Sequence, residues 1–222
     1  TFSLLLMLPL LKLLQQRFPV NRIALKSYAA GSMNLIGGQF FMYLAASYLS
    51  SSLIALMYGF APLLAGVVGH SILKTQKLKW FQWLGMVIAL IGLIVVFLGQ
   101  QNSGFHLIGV GMMMVSLVSY VFSIFWVKSI NAPVPAMAQA TGSIAASFLL
   151  SMLIVPFVWK YFPRQIPSAK ALSGLAFTVV ASSVLAIFCY FSLLRQLAPS
   201  TIPLTHVLTP IAALGLGAMF NT

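Results

Sequence analysis

Two side chains stand where a membrane helix would have to give up a backbone hydrogen bond. Tyr58 lies four residues before Pro62, and His206 lies four residues before Pro210. A proline has no N–H for the carbonyl four residues back, and its ring pushes that carbonyl aside. Each position therefore combines a freed carbonyl with a side chain that forms hydrogen bonds, which is chemistry for holding a polar ligand. The two positions also correspond to each other. Shifted by 148 residues, Leu197–Phe220 falls beneath Leu49–Ile72 with seven of 24 pairs identical, among them Pro62/Pro210 and Gly69/Gly217. Interrupted apolar segments at matching places in two halves are the mark of a fold built from repeats around a site near the membrane midplane. The plainer reading is that both prolines only bend their helices and that neighbouring groups satisfy the carbonyls.

Other side chains fit the same chemistry. Asn34 and Gln39 are amides that hydrocarbon tolerates only when paired, and Gln39 and Tyr43 share a helical face at a spacing of four. They serve either as glue between helices or as ligand contacts. Ser183 is a candidate pore-lining hydroxyl, against the commoner role of packing. His206 is the one ionisable side chain placed deep in an apolar run, and an ionisable group there is a functional candidate. With 12 Lys and Arg and no Asp or Glu in the chain, a charged His206 would find no carboxylate partner here. Acid/base catalysis by carboxylates is excluded for the same reason. No His/Cys cluster has metal-ligand spacing, and no nucleophile elbow or phosphate-binding glycine loop occurs. The expectation is no enzyme, no cofactor and no metal.

The elements that must position these residues follow from composition. With 61% hydrophobic and 5% charged residues and a mean hydropathy of +1.04, lipid has to be the solvent for most of the surface. Crossing the hydrocarbon layer takes about 20 apolar residues. Eight runs qualify or nearly so, near 1–12, 27–48, 51–73, 80–99, 106–127, 135–158, 171–193 and 199–220. Loops after the odd-numbered runs carry nine of the Lys and Arg residues and the opposite loops carry three, which places the first set in the cytoplasm. The repeated runs are the third and the eighth, so they cross in opposite senses and the repeat is inverted. Gly85, Ala89 and Gly92 form a small-residue stripe on the fourth run, suited to close helix contact. The cations lie between apolar runs with no recognition motif around them, so nucleic acid is not an expected partner. The expected partners are a small-molecule substrate and the bilayer, with a homodimer left open.

Phe41–Gly99 contains YLSSSLIALMYGFAPLLAGVVG, a short basic turn and WFQWLGMVIALIGLIVVFLG. This stretch resembles the EamA family of the drug/metabolite transporter superfamily. SYVFSIFWVKSI (119–130) through the Pro210 helix resembles that family's second copy. The resemblance implies ten helices in two inverted halves, of which this chain would supply about helices two to nine. The halves would be 1–103, lacking a first helix, and 104–222, lacking a last. It also implies a role for Tyr120, which falls where the family has an aromatic on its sixth helix. Where the family commonly has Glu after its fourth helix, this chain has Gln76. The fold class expected is an all-α integral membrane bundle with about eight transmembrane helices, multi-pass in the inner (plasma) membrane. The function implied is a carrier that exports or exchanges small metabolites, amino acids or drug-like molecules by alternating access, with Pro62 and Pro210 as gates. Alternatives are a sugar-phosphate or nucleotide-sugar antiporter, and a truncated membrane protein that transports nothing.

Overall fold

The structure, a computed structural model, describes residues 2–13, 15–72, 80–99, 107–158, 168–199 and 201–204. Helices α1 (Phe2–Leu13), α2 (Arg22–Met33), α3 (Gln39–Ala45), α4 (Ser51–Tyr58) and α5 (Ala61–Val67) come first. They are followed by α6 (Trp80–Gly99), α7 (Leu107–Ile130), α8 (Ala136–Val158), α9 (Ala169–Phe177) and α10 (Ile187–Gln196). Among the described residues there is no strand. Among the described residues, four helical stretches are long and apolar enough to cross a membrane, namely Leu53–His70, Leu107–Ile130, Ala136–Leu153 and Leu172–Gln196.

Local chemistry sets the ends. The Asn21 side chain accepts the Ala24 N–H at 2.7 Å to start α2, and Ser50 accepts the Leu53 N–H at 3.4 Å to start α4. Helix α7 stops at Asn131, whose φ of 44° is the left-handed conformation that asparagine tolerates. Pro133 and Pro135 then keep the chain out of a helix until α8 begins.

Among the described residues, three stretches are π-helical: Asn34–Gly38, Val68–Ile72 and Thr178–Ala186. The first interrupts the run expected over 27–48, and the third divides the last described span into α9 and α10. The Pro62 run is broken rather than bent. Helix α4 ends at Tyr58, and the N–H groups of Gly59 and Phe60 reach back only three residues, to Leu56 and Met57, each at 3.0 Å. Pro62 sits in the first turn of α5, where its missing N–H has no intrahelical partner to lose.

The chain forms two compact units. The first comprises Thr1–Ile36 with Trp126–Gln196, and the second comprises Gly37–Phe125 with Leu197–Thr222. In the first unit α2 packs along α8, glycine against side chain. A β-carbon at Gly142 would run into the ring of Tyr28, and one at Gly31 would meet Ser143, Phe191 and Gln139. Hydroxyls within apolar helices return to the carbonyl one turn back: Thr141 to Met137 at 2.8 Å, Ser147 to Ser143 and Ser151 to Ser147 at 2.7 Å each. In the second unit α7 buries Met113, Ser116, Leu117 and Tyr120 on one face, and Gly109 lets Tyr48 and Leu49 approach its backbone. On the expected contact stripe, a β-carbon added at Gly85 or Gly92 would meet no described atom within 4 Å.

Candidate functional site

In the second unit, the break after Tyr58 lies beside a short chain of polar groups. Ser116, fully buried on α7, donates its hydroxyl proton to the Gly38 carbonyl at 2.6 Å. That single proton is then committed, so the 3.1 Å contact between Tyr58 and Ser116 must be the phenol donating to the serine oxygen. The relay runs Tyr58 to Ser116 to the carbonyl of Gly38, the last residue of a π-helical turn. Such turns carry irregular hydrogen bonding and recur at functional sites. Tyr120 lies one turn beyond Ser116 on α7, and its ring meets that of Tyr58 edge-on, with centroids 6.4 Å apart. Four polar or aromatic groups from three stretches of chain thus converge where a membrane span is interrupted. The relay itself contains no charged side chain and no nucleophile with a base, so it can bind and orient a ligand through hydrogen bonds and ring faces.

Of the residues singled out by sequence, Tyr58 and Tyr120 are brought together. Pro62 is half-buried at the start of α5, one turn past Tyr58. Asn34 is half-buried at the first position of the π-helical turn Asn34–Gly38. Gln39 and Tyr43 share the exposed side of α3, with Tyr43 63% exposed, so neither is enclosed within the second unit. Ser183 belongs to the π-helical stretch Thr178–Ala186 of the first unit. His206, Pro210 and Gln76 lie outside the described residues.

Two polar groups escaped the sequence reading. Ser116 stands four residues before Tyr120, which puts the two on one helical face, a signal hidden by how often serine merely packs in membrane helices. Gln139 is the second. It is 4% exposed and ties α8 to α2 in the first unit: its oxygen accepts from the Ser27 hydroxyl at 2.7 Å. Its amide nitrogen donates to the Ser27 carbonyl at 2.8 Å and to the Ser143 hydroxyl at 3.1 Å. An amide inside an apolar run demands such partners, the argument already applied to Asn34 and Gln39.

The sequence profile of the EamA-like transporter family matches residues 1–98. Over that stretch, which is less than half of its length, the chain is similar to the EamA-like transporter family. The family stretch holds Tyr58 and Pro62 together with Asn34, Gln39 and Tyr43, whereas Ser116 and Tyr120 lie beyond it. The chain is also similar to the uncharacterized inner membrane transporter YedA of Escherichia coli strain K12, with 27% identity over 145 residues. The same identity is found with YedA of Escherichia coli O6:H1 strain CFT073 and of Escherichia coli O157:H7. The matched part covers 65% of this chain and 45% of the relative, so it represents less than half of those proteins. No solved structure matches the chain significantly. The described helices include stretches long and apolar enough to cross a membrane, and the chain's likenesses are to membrane transporters.

Proposed function

We propose that the chain belongs to a carrier of the inner membrane that exports or exchanges small metabolites, amino acids or drug-like molecules by alternating access. Its two halves, 1–103 and 104–222, would be inverted repeats that rock about a common site. The observation that carries this reading is the hydroxyl relay from Tyr58 through Ser116 to Gly38 at a broken span. Irregular backbone at membrane depth survives only against protein or a wet cavity, and broken helices frame the substrate site in such folds. The phenol gives its proton to Ser116 and Tyr120 supplies a ring wall, so a ligand at the break would meet hydroxyl groups and an aromatic face. The break at Pro62 is the hinge of one gate, and Pro210 would be its counterpart. Asn34, Gln39, Tyr43, Ser183 and His206 enter the proposal from the sequence alone.

Hydroxyls, rings and a carbonyl suit neutral or zwitterionic cargo. A sugar phosphate or nucleotide sugar would need a cation at the site, so that reading ranks second. The relatives described as inner membrane transporters support the general class. The test compares the small molecules exported by cells that overproduce the full-length protein with those exported by Tyr58→Phe and Ser116→Ala variants, followed by flux of the leading compound into proteoliposomes. Each variant removes one link of the relay and is expected to weaken apparent affinity about 3- to 10-fold, the size of one lost hydrogen bond. Wild-type flux and affinity in both variants would sink the assignment.

A further inference from the structure

A second site of different character lies in the first unit, at the ends of α7 and α10 that carry Lys128 and Arg195. There a cavity of about 320 Å³ is lined by Lys128, Asn131, Gln139, Ser27 and Arg195, with Phe191 at its apolar side. The lysine is half-buried and donates to the carbonyls of Leu194 at 2.6 Å and Arg195 at 3.2 Å. An ammonium group has three N–H donors, so two hold the end of α10 and one is left for the cavity. Those same carbonyls are the negative end of α10, and Lys128 answers that end. The Arg195 guanidinium, on an exposed residue at the cavity wall, therefore adds positive charge that the helix end does not offset. The chain contains no Asp or Glu with which either cation could pair. Asn131 completes the rim on a left-handed turn, its own N–H returned to the Val127 carbonyl at 3.3 Å.

We propose that this cavity binds a phosphate-bearing anion, with phosphoryl oxygens held between the Lys128 ammonium and the Arg195 guanidinium and with Asn131 donating from the rim. Guanidinium and ammonium groups together are the usual phosphate pair, the first matching two oxygens through its planar fork and the second acting as a point charge. On the orientation that the lysines and arginines give, this end of α7 and α10 faces the cytoplasm. There the phosphate can come from the headgroup of an anionic lipid of the inner leaflet or from a soluble phosphate ester. The site shares no residue with the Tyr58 relay, and its failure or success leaves the carrier reading where it is.

The experiment uses the purified full-length protein in two arms. In the first, native mass spectrometry follows retention of phosphatidylglycerol against phosphatidylcholine in the wild type and in Arg195→Gln and Lys128→Gln variants. In the second, the shift in thermal midpoint is read with millimolar glycerol 3-phosphate and with inorganic phosphate. Arg195→Gln is the main variant because the backbone carbonyl that Lys128 caps is untouched and its side chain is exposed. Its midpoint without added anion should match the wild type. Preferential retention of phosphatidylglycerol that drops about tenfold in Arg195→Gln supports the lipid source. A midpoint raised by glycerol 3-phosphate in the wild type but not in the variant, without lipid preference, supports the soluble source. The proposal is overturned if neither probe binds the wild type more tightly than Arg195→Gln, or if Lys128→Gln folds and binds both probes as the wild type does.

Discussion

Replacing Gly142 by alanine puts one methyl group where the Tyr28 ring now lies. The built β-carbon would overlap Cγ and Cδ1 and sit 2.6 Å from Cε1, roughly 1 Å inside ordinary carbon–carbon contact. The ring has little room to yield. Tyr28 is 3% exposed, its hydroxyl donates to the Pro19 carbonyl at 3.0 Å, and its face is stacked on Phe18 with centroids 5.3 Å apart. Moving it surrenders the hydrogen bond, about 0.5–1.5 kcal/mol, and the ring pair, about 0.5–1.5 kcal/mol. Leaving it in place forces α2 and α8 apart, an overpacking cost of about 1–3 kcal/mol. Alanine returns about 1 kcal/mol of helix propensity over glycine, so the net destabilisation is about 0–2 kcal/mol and Gly142→Ala should fall about 1–3 kcal/mol below a variant that keeps the propensity gain alone. Gly111 on α7 is the control, since a methyl group there meets no described atom within 4 Å and the propensity gain stands alone. The assay is reversible denaturant unfolding of the full-length protein in mixed micelles, with Tyr28→Leu as the second arm of a double-mutant cycle. A Gly142→Ala protein as stable as Gly111→Ala would refute the argument, because the tyrosine ring could not then occupy the groove that Gly142 opens.

Two further outcomes are expected. Gln139→Leu removes three buried hydrogen bonds, and with membrane hydrogen bonds averaging about 0.6 kcal/mol it should cost about 1–2 kcal/mol. The cycle with Ser27→Ala should show coupling in unfolding free energy, and strict additivity would count against the pairing of α2 with α8. Pro62→Ala should leave stability within about 1 kcal/mol of the wild type, because the proline occupies a first-turn position without a hydrogen bond to restore. Transport by the full-length protein should nevertheless slow, and unchanged flux would remove Pro62 from the gate.

Some of the helical runs were legible because membrane helices announce themselves by length and hydropathy, while the run expected near 199–220 lies largely outside the described residues. The expected run at 80–99 is helix α6 to the residue, and the run at 106–127 lies within one to three residues of α7. Interruptions were legible only where a proline made them. Pro62 marked the break after Tyr58, whereas the π-helical turns carry no residue that forbids α-helix, so Asn34–Gly38 and Thr178–Ala186 gave no warning. Small residues misled in the opposite direction. The evenly spaced Gly85 and Gly92 have no described neighbour at β-carbon range, while Gly31, Gly109 and Gly142, which form no tidy stripe, take the close contacts. Spacing along one helix shows where another can approach, and the choice among such faces depends on side chains distant in sequence. Tyr58 and Tyr120 are 62 positions apart. Each was a candidate by itself, but Ser116, the residue that joins the relay, became visible only when α7 was placed beside the break.

The long π-helical stretch Thr178–Ala186 amounts to a surplus residue stored between α9 and α10. Excising one residue from it would let the chain relax to α-helix, and because the wider turns are what absorb that residue, α10 would keep its bearing. Phe191 and Leu194, each 2% exposed, would stay in the interior. The same deletion within α10 would instead turn everything after it by about 100° about the axis, so an evolutionary record of length variation should favour TVVASSVLA even though the sequence there looks featureless.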